Sequence, residues 1–117
     1  MSHDRLSPLK IISQWRKYVD IIYKATRRVI PSARICLTGG VVEDRLTVLS
    51  DIDVLVVLDH EPSFSEAVDL RTRIYEEAEK MGLPLYAPVE LHIIGPHSIQ
   101  RYRSIKCFEQ LRYSREY

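Results

Sequence analysis

Two aspartates set two residues apart, Asp51 and Asp53, open the strongly apolar run Asp-Ile-Asp-Val-Leu-Val-Val-Leu. Side chains two apart on a strand share a face, so the pair projects from one edge of a sheet. Carboxylates held that close repel unless a cation joins them. Hard divalent ions such as Mg²⁺ bind through one or two carboxylates together with substrate phosphates, which makes the pair a metal seat by geometry. Ten residues separate Gly39-Gly40 from Asp51. A double-glycine turn lets backbone N–H groups approach a polyphosphate closely. Taken singly, an Asp-x-Asp also serves to solvate a strand end, and a Gly-Gly pair to make an ordinary turn. Together they bring a phosphate and a metal to one place.

The surrounding pattern supplies elements to position these groups. Ser7-Pro8 is a helix start, and Leu9, Ile12, Trp15, Val19, Ile22, Ala25 and Val29 recur at helical steps up to Pro31. Ala33 to Leu37 is a short strand broken at Thr38-Gly39-Gly40. The run from Asp51 to Leu58, apolar on both faces after its first residues, reads as the most buried strand. Ser63 with Glu66 forms a capping box for a helix that carries Ala67, Leu70, Ile74, Ala78 and Met81, stopped by Gly82 and Pro84. Val89 to Ile94 alternates as a third strand with one polar face, closed by Gly95-Pro96. From His97, the spacing of Ile99, Tyr102, Ile105 or Lys106, and Leu111 predicts a C-terminal helix. The order of elements is that of an α/β or α+β sandwich with a small mixed sheet.

A chain of 117 residues, 45% hydrophobic and 28% charged, is expected to form one domain spanning 1–117, with a core that needs no metal or disulfide staple. It has no apolar run of the ~20 residues a membrane helix requires, and its first residues lack the apolar stretch of a signal peptide, so a cytoplasmic protein with no membrane partner is expected. Cys36 and Cys107 fit no C-x-x-C spacing and read as buried thiols. The net charge of +1 hides an asymmetry. Residues 1–34 hold eight basic and two acidic side chains, 35–96 four and twelve, and 97–117 five and two. A general nucleic-acid footprint is not supported by that balance. An acidic middle between basic ends instead asks what the acids neutralise.

The segment from Leu37 to Leu58 resembles the signature of the DNA polymerase beta superfamily of nucleotidyltransferases, in particular its small, single-domain minimal members. Their pattern is a strand, Gly-Ser, ten residues, and Asp-x-Asp inside Ser-Asp-Ile-Asp on the next strand. Here Gly39 and Gly40 take the first two positions, and Ser50-Asp51-Ile52-Asp53 the last. The resemblance implies the nucleotidyltransferase fold, a small mixed sheet flanked by helices. It also implies transfer of a nucleoside monophosphate from an NTP, ATP first among them, to a hydroxyl acceptor, with Mg²⁺, or Mn²⁺, in a two-metal site. The family's third carboxylate lies on a later strand, where Glu90 is the acid available. Asp51, Asp53 and Glu90 are thus implied as catalytic and metal-binding, with Glu90 also open to reading as a solvent-facing residue on an edge strand, and Gly39, Gly40, Ser50 and Arg45 as nucleotide-binding. Arg45 has an alternative reading as a solvated loop residue. His92 shares the face of Glu90 and is either a base or phosphate donor within the site or a hydrogen-bonded bystander.

Two departures bear on activity. Gly40 stands where the family's serine contacts phosphate, removing one hydrogen bond, and Val41-Val42-Glu43-Asp44 puts two acids where a triphosphate favours a base. The second reading is therefore a weakened or inactive subunit acting as an antitoxin or binding partner. Minimal nucleotidyltransferases work beside helical partners of the HEPN type in toxin–antitoxin pairs, so the resemblance implies such a partner, or a second copy in a homo-oligomer. The basic, tyrosine-bearing ends (Arg101, Tyr102, Arg103, Arg112, Tyr113, Arg115 and Tyr117) offer a docking surface for a protein or RNA, or form a solvated amphipathic helix.

Overall fold

The computed structural model describes residues 8–39 and 51–108, with side chains from residue 14 of the first helix onward. Helix α1 (Pro8–Val29) leads into β1 (Arg34–Thr38). Strand β2 (Ile52–Val57), helix α2 (Phe64–Lys80) and β3 (Val89–Ile94) follow, then a 3₁₀ turn (Ser98–Arg101) and β4 (Lys106–Phe108). The four strands form one sheet in the order β3-β2-β1-β4. β1 runs antiparallel to both β2 and β4, whereas β2 and β3 are parallel. Parallel neighbours need a crossover, and α2 supplies it. The sheet is mixed and the class is α+β.

The alternation of each strand separates two environments. Ile35, Leu37, Ile52, Val54, Val56, Val89, Leu91 and Ile93 pack with Trp15, Val19, Ile22 and Ala25 of α1 and with Ile74 and Ala78 of α2. This is the main core, and the helical stripe anticipated on α1 faces it from Trp15 onward. On the opposite face Cys36, Leu55, Val57 and Ile94 form a smaller cluster, covered by Ile99, Tyr102, Ile105 and Cys107. Because β2 lies between β1 and β3, it is buried on both faces after Asp53.

Helix α2 begins as its sequence dictates. The hydroxyl of Ser63 accepts the Glu66 N–H at 3.1 Å, and Gly82, at φ +101°, follows its C-cap. Tyr75 on α2 then reaches the outer edge of β3. Its hydroxyl accepts the N–H of Leu91 at 3.1 Å and donates to the carbonyl of Val89 at 2.9 Å. Burial pushes this phenol above its usual range, so it remains protonated and able to donate.

The segment after His97 departs from the helix its spacing predicts. Ile99 and Tyr102 do share a face across a single 3₁₀ turn, but Ser104 takes φ +55°, a left-handed conformation that stops a helix. Ile105 and Cys107 then alternate with Lys106 and Phe108, and the chain pairs with β1. Leu111 lies outside the described residues. The two cysteines also differ from the expectation of free thiols: Cys36 and Cys107 are register partners across β1 and β4 and are joined in a disulfide. Antiparallel partners lie close enough for this link whatever their separation along the chain.

Candidate active site

The open face of the sheet carries its polar groups at one end, where β1 finishes and β2 and β3 begin. Strand register sets them in two rows. Thr38 pairs with Asp53, and Asp53 with Glu90; in the next row Cys107, Cys36, Leu55 and His92 lie side by side. The period of two therefore puts Asp53, Glu90 and His92 on the same face from two parallel strands.

His92 leans across the rows. Its Nε2 lies 3.1 Å from Asp53 Oδ1 and 3.8 Å from Glu90 Oε1. One ligand atom from each of the three residues falls within 4.8 Å of the others, a set able to hold a metal ion. The side chains of His92 and Asp53 are 27% and 30% exposed, and that of Glu90 is 62% exposed. Access to Glu90 is thus from solvent, while the other two are partly enclosed. The His92 ring rests against Tyr102, centroids 5.7 Å apart and planes tilted by 59°.

Gly39 sits against this group. It follows β1 with φ +82°, and a β-carbon there would lie 3.3 Å from Asp53 Oδ2. Both the left-handed backbone and the close carboxylate favour glycine at this position. Asp51 is exposed immediately before β2 and stands outside the three-residue group. Gly40, Arg45 and Ser50 lie outside the described residues, as do Arg112, Tyr113, Arg115 and Tyr117.

Glu90, His92 and Tyr102 also line a cleft of about 420 Å³ together with Arg71 and Tyr75 of α2. The Arg71 Nε is buried without a hydrogen-bond partner. Sequence reasoning looked for a phosphate-facing cation near the glycines and passed over Arg71, whose place beside β3 comes from the α2 crossover. It also passed over Thr38, whose hydroxyl donates to the Arg103 carbonyl and ties the covering segment to the end of β1. No local motif marks either residue.

A nucleotidyltransferase domain model matches residues 12–112, nearly the whole chain. The chain belongs to the nucleotidyltransferase domain family. Nucleotidyl transfer is the family's general reaction, and the mixed sheet with its carboxylates fits the DNA polymerase beta superfamily. A candidate nucleotidyltransferase of known crystal structure is 26% identical, with a TM-score of 0.54, over 79% of this chain and 98% of that one. Another, from Sulfolobus solfataricus, is 14% identical with a TM-score of 0.63 over 86% of this chain and 87% of that one, a likeness of fold. Among curated proteins none matches this chain.

Proposed function

We propose that this single domain, residues 1–117, transfers a nucleoside monophosphate from an NTP, ATP first, to a hydroxyl acceptor in a reaction that depends on divalent metal. The observation that carries the reading is the convergence of Asp53, Glu90 and His92 beside the positive-φ Gly39. The two carboxylates among them suit Mg²⁺ or Mn²⁺. When bound, such ions neutralise the triphosphate and stabilise the attacking and leaving oxygens.

The chain's own residues would do the rest. Asp51 and Asp53 hold the metal seat at the start of β2, and Glu90 completes it on the solvent-facing side, where an acceptor can approach. Gly39 and Gly40 offer backbone N–H groups to the triphosphate, helped by Ser50 and Arg45. The acceptor oxygen forms its bond to the α-phosphorus as the bond to the pyrophosphate oxygen breaks, and the acceptor's proton leaves to solvent or to a carboxylate. Positioning and charge neutralisation dominate such a transfer.

The acceptor lies on a partner in this reading, a helical protein of HEPN type within a toxin–antitoxin pair, or a second copy of the chain. Nucleic acid is a third class of acceptor. The alternative, an inactive binding subunit, is favoured by Gly40, Glu43 and Asp44. The site of action we propose is the cytoplasm. There a disulfide is uncommon, and this one joins a fully buried Cys36 to a partly exposed Cys107, through which a reductant could reach it.

Incubation with labelled NTPs, Mg²⁺ or Mn²⁺ and partners co-purified from the native host tests this, with intact-mass analysis for an added nucleotide. Transfer that disappears in the Asp51→Asn, Asp53→Asn double variant supports the enzyme. Absence of both binding and transfer, with a partner complex that survives loss of both acids, favours the binding subunit.

A further inference from the structure

The family resemblance implies an all-oxygen seat of Asp51, Asp53 and Glu90, whereas the structure gathers Asp53, Glu90 and His92 and leaves Asp51 outside the group. A hydrogen bond joins the Nε2 of His92 to Asp53 Oδ1, so the ring already faces the carboxylates. His92 is one register row away from Asp53 and Glu90, yet its Nε2 reaches back between them, 3.1 Å from one carboxylate oxygen and 3.8 Å from the other. Two neighbouring donors on an octahedral ion with bonds of 2.0–2.1 Å stand roughly 3 Å apart. The His92–Asp53 separation already has that value. Gly39 leaves room for Asp53 on one side, since a β-carbon there would lie 3.3 Å from Oδ2. Tyr102 backs the imidazole ring on the other. The ring is thereby held with one nitrogen directed at the carboxylates.

Resting on the nucleotidyltransferase reading, we infer that His92 is itself a metal ligand and that its nitrogen biases the site toward a first-row transition ion over Mg²⁺. Mg²⁺ binds oxygen and keeps its waters, whereas imidazole nitrogen suits transition ions and strengthens their hold along the series from Mn²⁺ upward. A nitrogen beside two carboxylate oxygens therefore gives the site a basis for choosing between ions that an all-carboxylate seat lacks.

Mn²⁺ alone, added to the tag-free full-length protein, is the probe. Electron spin-echo spectroscopy should show ¹⁴N coupling to bound Mn²⁺ in the wild type and none in His92→Asn. In titrations, His92→Asn should weaken Mn²⁺ about tenfold or more and Mg²⁺ much less. His92→Gln serves as the second variant, and circular dichroism checks that each is folded. Mn²⁺ binding that depends on Asp53 but shows no nitrogen coupling overturns the inference and leaves the nucleotidyltransferase reading intact. Coupling that persists in both His92 variants overturns it as well, because another histidine is then the source. No Mn²⁺ binding at all overturns the inference and the metal-dependent reading together.

Discussion

The two faces of the sheet are cut from the same strands, residue by residue, and spend them differently. On the helix side, every inward position from Ile35 to Ile93 is apolar and nearly sealed, with Ile22, Val54, Val56 and Ile74 fully buried. On the other side, among the described residues, Cys36, Leu55, Val57 and Ile94 are apolar and buried, and a short strap from the 3₁₀ turn to β4 covers them. The strap is fastened at both ends. Glu61 accepts the His97 N–H at 2.6 Å and the Ser98 hydroxyl at 2.9 Å, and the far end is held by Thr38 and by the disulfide. Beyond the strap the strands carry Asp53, Glu90 and His92. Apolar burial is thus concentrated on one face, and the other is free to hold charge that would be costly in a core.

That division can be tested from both sides. Asp53→Asn should lower nucleotidyl transfer at least about a hundredfold, because it removes a carboxylate charge of the proposed metal seat. Its unfolding free energy should stay within about 0.5 kcal/mol of wild type, as expected for a partly exposed polar site. Both are read by transfer assays and denaturant titration of the same preparation. A large loss of stability would mean that the open face is structural after all.

Reducing the disulfide should cost about 4 kcal/mol in the chain-entropy picture, given its sequence separation of 71. Urea titrations with and without dithiol reductant measure it, and Cys36→Ala with Cys107→Ala should match the reduced protein. On the other face, Ile22→Ala should cost about 3 kcal/mol through the cavity it leaves, with metal and nucleotide affinities unchanged. A change in those affinities would show that the two faces communicate.

The smallest effect concerns the front end of the strap. The backbone N–H of His97, foremost, and the Ser98 hydroxyl hold the Glu61 carboxyl below its usual range. A depressed carboxylate contributes stability that is present above its ordinary pKa of about 4.3 and is lost as pH falls through the lower folded value. Amide exchange at His97 and Ser98 should therefore speed up selectively in mild acid, and Glu61→Gln should flatten that response.

Much of this arrangement was legible in the sequence because it is written in local periodicities. The stripe on α1, the capping box of α2 and the alternation of β3 each depend on residues a few positions apart, and so does the shared face of Glu90 and His92. The strap was not legible. Its three-residue steps from Ile99 to Ile105 imitate a helix, and what decides the outcome is pairing with β1 some 70 positions earlier in the chain, together with the left-handed Ser104. The cysteine pairing follows from that same distant register. Arg71 and Thr38 were missed for a like reason, since their relation to the cleft and to Arg103 exists only once α2 has crossed over and the strap has returned.

The disulfide also makes a covalent ring of everything between Cys36 and Cys107, and that ring contains Gly39, Asp51, Asp53, Glu90 and His92, while α1 lies outside it. A single backbone cut anywhere within the ring opens the loop but releases no fragment until the bond is reduced. The protein could then be nicked between its candidate phosphate-binding glycines and its acids and still keep both halves of the site on one molecule, a property that a two-part, reassembled form of this domain could exploit directly.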